Sequence, residues 1–507
     1  MKGNRILWML MLLPLLFFQL GCKKYLDRKP LGQAVDGDVQ QTGVEPKVFG
    51  LYASLQTWGM SQLPFLTIHA ARADDDLNST LPDGGDQQDI VDHFNYNKDH
   101  WSINSLWTDH LAFITQASTI IFEVDSAYSS DPASVINKAE ASFLRAYAYF
   151  DMVRDYGEVP IIDFKVNAAS DANVPKKPVA DVYALIDKDL DFASQYLPAV
   201  WESKFLGRVT KGAADALHAK TYLYRQNWAS AMAKCDEVIG SGLYELNNSY
   251  VALFTEAGEN SKESLFEIQN YSSTNGSVVS SNYLAQYQGV RGNSSWDLGW
   301  GWNQPSENFV NTGYETGDPR RDATILFAGQ DDGVYGLTVP AFEGYSANTN
   351  NLKFWNKKNY TDPARRASTG SRFGEWLNTP ILRYSDVLLM DAEAAVELGG
   401  ATNIQKALDN LELVRARARG GNAAILPAVT STDPATIRTA IKKERRVEFG
   451  LEFERFYDLV RWTPATDGID APGVLGPLGY TAKNKYYPVP QPEVDKSNGV
   501  LVQNPDY

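Results

Sequence analysis

The chain has little of what catalytic proteins and small secreted scaffolds are usually built from. Its two cysteines among 507 residues, Cys22 and Cys235, are too few for a disulfide framework. Histidine is nearly as sparse at five, with none after His218, so a nucleophilic triad would have to draw its base from the N-terminal half. No GxSxG, Walker A, CxxC, HExxH or EF-hand loop occurs, which removes the motif-level grounds for the enzyme and metal classes those patterns mark. Positive charge is also short. With 47 Lys and Arg against 62 Asp and Glu, the formal net charge is −15, which argues against nucleic acid as a partner and against charge-driven binding to anionic lipid. The one long apolar run, Ile6–Phe18, is too short and wrongly flanked for a membrane span.

That run follows Lys2 and Arg5 and predicts a signal peptide over residues 1–21. It ends at Gly21 and Cys22 rather than at an A-x-A site, the pattern of a bacterial lipoprotein signal, with Gln19 standing where leucine is usual. Each buried acyl methylene on Cys22 contributes about 0.8 kcal/mol, so several chains make a lasting anchor. Removing Lys2 and Arg5 takes the formal charge from −15 to −17 and leaves Cys235 as the sole thiol.

What the chain has is 44% apolar and 12% aromatic residues, enough for a large core. Thr210–Gly242 reads as two short helices joined at Gln226 and Asn227, with Ala213, Leu217 and Tyr224 on one face and Trp228, Met232, Cys235 and Ile239 on the other helix. About 34 residues arranged this way is the size of a tetratricopeptide repeat, which needs neighbours to bury its apolar face. Helical spacing recurs over 44–55, 106–128, 139–160, 179–197, 381–398, 404–419 and 437–462. Between Leu243 and Pro380 the chain turns to short apolar pieces rich in Gly, Asn and Ser, an irregular insertion between helical repeats. Residues 463–507 read as an extended, Pro-rich tail lying over the helices.

Three local patterns carry expectations. The polar segment Arg72–Asp99 holds Asp74, Asp75 and Asp76 with His69, His93, His100 and His110 around it. No ligand pair stands at motif spacing, so a solvated loop with an aspartate cap is expected, with room for a structural calcium. Over 437–462, Phe449, Phe453, Phe456 and Val460 form one stripe beside Arg445, Glu448, Glu452 and Arg455, ions that should lock the helix to a neighbour. The basic stretch Asn351–Phe373, with Lys353, Lys357, Lys358, Arg365, Arg366 and Arg372, reads as a surface loop, the other reading being a cradle for uronic acids.

The chain resembles the SusD/RagB family of outer-membrane lipoproteins. The likeness rests on motifs in the family's order: CKKYLDRKP from Cys22, AEASFLRAYAYF with DYGEVP, RVTKGAADALHAKTYLY, GDPRRDATI at Gly317–Ile325, PILRYSDVLLMDAEA, LELVRARA, ERRVEFGLEFERFYDLVRW, and the closing YYPVPQPEV with QNPDY. The charged marks among these, Glu140 with Arg145 and Arg320 with Arg321, are expected to brace helices and turns. The resemblance implies a mainly α fold, a tetratricopeptide-like helix-pair superhelix with a large irregular ligand-binding insertion in a single domain over 22–507. It also implies a non-catalytic, cofactor-free role. Such a protein is anchored in the outer membrane through Cys22, faces the cell exterior, captures an oligosaccharide and passes it to a SusC-like TonB-dependent transporter.

Sugar binding needs flat apolar faces for pyranose C–H groups and polar groups for the hydroxyls. Tyr271–Trp302 supplies both, with Tyr283, Trp296, Trp300 and Trp302 as candidates among Asn and Asp residues. Trp101, Asp74 and Asp75, from the other variable loop, are expected by position in the family to meet them. Two rival readings stand beside this one. A peptide-uptake relative would favour backbone-pairing edges and apolar pockets, and a surface glycosidase would need two carboxylates, which 62 acidic residues cannot exclude.

Overall fold

The computed structural model describes residues 43–77, 86–273, 275–292, 294–341 and 353–507. The signal peptide and Cys22 lie outside them. The fold is mainly α, as expected. Its frame is a set of helices, α1 (Glu45–Ser54), α2 (Trp101–Glu123), α3 (Pro132–Tyr156), α4 (Val179–Tyr196), α5 (Lys211–Tyr224), α6 (Trp228–Gly240), α7 (Tyr384–Leu398), α8 (Ala401–Arg419), α9 (Pro434–Glu448) and α10 (Arg455–Arg461). Among the described residues no helix is long and apolar enough to cross a membrane.

Capping chemistry sets the ends. Asp131 accepts from Ser134 N at 3.0 Å to open α3, which Pro132 then enters, and Gly157 at φ 75° stops it. Thr210 and Asn227 cap α5 and α6 in the same way, with Gln226 at φ 57° making the tight turn between them. Helices α3 with α4, α5 with α6, and α7 with α8 are antiparallel neighbours, and α6 packs on α7. Helix pairs therefore stack although the insertion separates α6 from α7 in sequence. Helix α3 is buried on nearly every face, and one continuous apolar core runs from Val48 to Val489.

The insertion is tied to this frame by a two-stranded antiparallel ladder of β1 (Ser264–Ile268) with β2 (Thr379–Arg383). From β1, Phe266 meets the rings of Phe143 and Tyr147 edge-on, at 5.2 and 5.6 Å between centroids. The tail closes the other side. Tyr487 N donates to Asp155 O at 2.7 Å, and Asn504 Nδ2 donates to Tyr156 O at 2.9 Å and Tyr487 O at 2.7 Å. Arg72, fully buried, lies 3.8 Å from the ring centroids of both Phe456 and Tyr487 and reaches Asp155 Oδ1 at 2.8 Å.

Two expectations are corrected here. The helix read over 437–462 is two helices, because α9 ends at Glu448 and the chain turns through Leu451 at φ 65° and Phe453 at φ 70° before α10. Its ions do join neighbours. Glu448 takes Arg320 at 3.2 Å, Arg383 at 3.0 Å and Arg417, while Glu452 takes Lys358 at 2.6 Å and Arg383 at 2.8 Å. Glu140 and Arg145 brace separate elements, through Arg208 at 2.6 Å and Asp189 at 2.7 Å. The second correction concerns the aspartate loop. Arg72, Asp75 and Asp76 are buried rather than solvated: Arg72 meets Asp155 of α3, Asp75 accepts from Leu451 N, and the Asp76 backbone pairs with Pro305 of the insertion.

Candidate functional site: an aromatic platform with an amide rim

Just after α1 the chain makes two short helical turns, Trp58–Ser61 and Leu63–His69. Gly59 N donates to Asp109 Oδ2 at 2.6 Å, and a Cβ at Gly59 would lie 2.2 Å from Ser105 O, so only glycine lets this turn sit on α2. The contact delivers Trp58 over Trp101, the first residue of α2, with ring centroids 6.0 Å apart and planes inclined by 28°. Trp58 is 41% exposed.

The insertion builds the adjoining wall. Tyr283, at φ 58°, opens the short helix Leu284–Gln288, and Ser281 Oγ accepts from its N–H at 3.0 Å. The loop after Leu298 lies back on that helix, with Trp300 N to Gln286 O and Trp302 N to Tyr287 O, both at 2.9 Å. The rings follow the backbone. Tyr287 lies 5.1 Å from Trp300 and 6.1 Å from Trp302, and Trp300 meets Trp302 edge-on at 5.0 Å. Leu63, Leu66, Ala70, Leu284, Tyr287 and Trp302 form the buried base of one cluster, with Trp101, Tyr283, Trp300 and Phe453 half-buried against it.

Polar groups border these rings. Tyr287 Oη donates to Gln62 Oε1 at 3.4 Å, Gln62 Nε2 to Gln56 O at 2.6 Å, and Gln56 Nε2 to Gln269 O at 2.6 Å and Asn270 Oδ1 at 3.2 Å. Ser280 Oγ donates to Gln56 Oε1 at 2.5 Å. The half-buried Glu375 carboxyl is raised by burial, and burial together with the charges of Tyr283 and Glu375 raises the Tyr287 phenol. Amide groups at a rim, linked to one another, beside rings at a face are the residue types that a polyhydroxylated ring meets.

The structure thus brings Trp101, Tyr283, Trp300 and Trp302 into one cluster, with Trp302 as buried support. Trp296 stands apart. It stacks on Tyr360 at 6.0 Å in a second cluster with Val290, Leu298 and Trp355, because the chain turns between Trp296 and Trp300. Asp74 is likewise elsewhere, paired with Arg455 at 2.6 Å and Arg446 at 2.7 Å. Asp75 is 2% exposed, accepts from Leu451 N at 3.3 Å, and is pushed up to about 6 by burial and by Asp74. Sequence reasoning missed Trp58, Gln56 and Gln62. The signal available was a tryptophan next to a glycine in a short polar stretch, LQTWGMSQ, between two helical runs.

The basic stretch is not a free cradle. Lys353 pairs with Glu307 at 3.3 Å, Lys358 with Glu452 at 2.6 Å, Arg365 with Glu256 and Arg372 with Asp297. Lys357 donates to Asp322 O at 2.7 Å and Arg366 to Thr361 O at 2.5 Å. Nor is it simply a surface loop, since Lys357, Lys358 and Arg366 are buried. Of the histidines, His69 contacts Asp155 at 2.9 Å, His110 is buried against Asp151, and His100 caps α2. Among the described residues the one grouping with metal-ligand spacing is Asp89, Asp92 and His93.

Comparison with known proteins agrees along the whole chain. The SusD family model matches residues 200–507, and a model described as starch-binding associating with outer membrane matches residues 24–223. SusD-like protein P2 of Formosa agariphila is 28% identical over 531 residues, covering 100% of both chains. A SusD-like protein of Bacteroides ovatus is 27% identical over 71% of this chain and 66% of its own. Among solved structures, a SusD-like protein from Bacteroides fragilis has a TM-score of 0.73 at 24% identity, covering 95% of this chain and 100% of that one. A laminarin-binding SusD-like protein has a TM-score of 0.71 at 25% identity, covering 91% and 98%.

Proposed function

The chain belongs to the SusD family, and from that membership we propose that it is a non-catalytic surface protein that captures a neutral oligosaccharide on the platform of Trp58, Trp101, Tyr283 and Trp300. The observation that carries this reading is the meeting of these partly exposed rings over a buried base, bordered by Gln56, Gln62 and Asn270. Stacking one ring on a sugar buries about 50–100 Å² of apolar surface, roughly 1–2.5 kcal/mol before entropic costs. Two or three such contacts support micromolar to millimolar binding. Neutral sugar is favoured because every cation of 353–372 already has an internal partner.

The name of the laminarin-binding relative supports a glucan as first probe. In this reading Cys22 carries the lipid that holds the protein at the outer membrane facing outward, and a SusC-like TonB-dependent transporter receives the ligand. The test is calorimetry and product analysis on the mature chain with Cys22→Ala, titrated with laminarihexaose, maltohexaose and hexaalanine. Binding of one glucan without cleavage is expected. Binding of hexaalanine alone, or release of shorter sugars, would overturn the proposal.

A further inference from the structure

A second cavity, of about 560 Å³, lies in the helical half between the ends of α3 and α5, the start of α4, α10 and the tail. Its size falls within the range of small-molecule sites. In a chain of net charge −15 its lining carries four cations, Arg154, Arg225, Arg461 and Lys485, and no aspartate or glutamate.

The acids are behind the walls. Arg225 is held bidentately by Asp187 at 2.7 and 2.6 Å, Arg461 by Glu393 and by Asp458 at 2.8 Å, and Arg154 by Asp151. These pairs fix the guanidinium planes and meet most of their charge. Donors are left over on Lys485, Tyr183 and Tyr486, among others. Lys485 has no ion-pair partner among the described residues, and neither the Tyr183 nor the Tyr486 hydroxyl has a hydrogen-bond partner among them. The walls therefore offer an exposed ammonium 5.1 Å from the ring of its neighbour Tyr486 and two phenols without a hydrogen-bond partner among the described residues. They also offer tyrosine rings that each carry a cation on one face, Arg225 at 4.6 Å from Tyr183 and Arg154 at 4.2 Å from Tyr457, with no carboxylate among the lining residues.

We propose that this cavity is a second binding site, separate from the aromatic platform, for a small molecule carrying a carboxylate beside a flat or apolar body. The carboxylate accepts from Lys485 and the two tyrosine hydroxyls, and the body lies on the tyrosine rings. Two sources share this chemistry, an acidic sugar and the C-terminus of a short peptide.

The experiment is calorimetry on the mature chain with Cys22→Ala, using trigalacturonate and trialanine as probes and maltotriose as the neutral control. Binding of at least one carboxylate probe is expected, weakened by added salt and weakened about tenfold by Lys485→Gln or by Tyr183→Phe with Tyr486→Phe. Trp58→Ala with Trp101→Ala should leave it unchanged. Trigalacturonate alone identifies an acidic sugar, trialanine alone a peptide terminus, and both together the carboxylate itself. Failure of both probes to bind the parent protein overturns the proposal. So does affinity untouched by the Lys485 and tyrosine variants, or affinity lost in the Trp58 and Trp101 variant.

Discussion

Trp58 lies over Trp101, yet the two belong to different helices, and the contact exists because Gly59 lets one turn settle against Ser105 on α2. A ring presented in this way is held by backbone packing rather than by its own burial. Replacing it should therefore affect binding more than stability.

Trp58→Ala and Trp101→Ala are each expected to weaken glucan binding by about fivefold to seventyfold, the equivalent of one lost stacking contact. Calorimetry measures this, and a melting temperature for Trp58→Ala close to the parent's separates it from unfolding. Full affinity in the double variant would remove the platform from the ligand's path.

The three insertion tryptophans should behave differently from one another. Trp302 is 9% exposed and supports the cluster, so Trp302→Ala is expected to cost about 3–5 kcal/mol of stability in denaturant unfolding. Trp300→Ala should weaken binding with a smaller loss of stability. Trp296→Ala, which disturbs the stack on Tyr360, should leave glucan affinity unchanged.

Glu448→Gln leaves buried arginines on three other elements without their shared charge and is expected to cost about 3–5 kcal/mol. Burial opposes ionisation of Glu448, but Arg417, Arg383 and Arg320 hold its carboxyl well below the ordinary 4.5. A carboxyl lowered by folding stabilises above its unfolded pKa and loses that contribution as pH falls through the folded value. The stability gap between parent and Glu448→Gln should accordingly be full at neutral pH and shrink below pH 4.5.

Asp75 has the opposite sign. Burial first, then the charge of Asp74, raise it from 3.8 to about 6, so ionisation is easier in the unfolded chain and the group destabilises progressively as pH rises through that window. Asp75→Asn keeps an acceptor for Leu451 N and removes the charge. Its stability advantage, on the order of 1–3 kcal/mol, should grow between pH 3.8 and about 6 and stay constant above, as read from melting curves across pH.

The helix pairs were legible because their signal is local. Thr210–Gly242 contains its caps, its turn residues and both apolar faces, and the structure keeps all three. The long helix read over 437–462 failed because Phe449, Phe453 and Phe456 keep helical spacing across a break at which Gly450 packs on Phe309, a residue far away in sequence. The site was half legible. Its aromatics announced themselves by composition, but periodicity does not reveal that Trp302 faces inward or that Trp296 joins Tyr360, since both depend on how a loop folds back on Leu284–Gln288. Asp74 looked available because its partners, Arg446 and Arg455, are distant in the chain.

The tail completes a layer laid down far earlier in the sequence. The carbonyls at the end of α3 wait for Tyr487 and Asn504, and Arg72 has one of its two aromatic walls only when Tyr487 arrives. In an open stack of repeats each unit contacts only its neighbours. Here the innermost helix is completed by residues far downstream, with Asn504 reaching Tyr156 across 348 positions, so a chain cut before Tyr487 is left with its central layer unsealed.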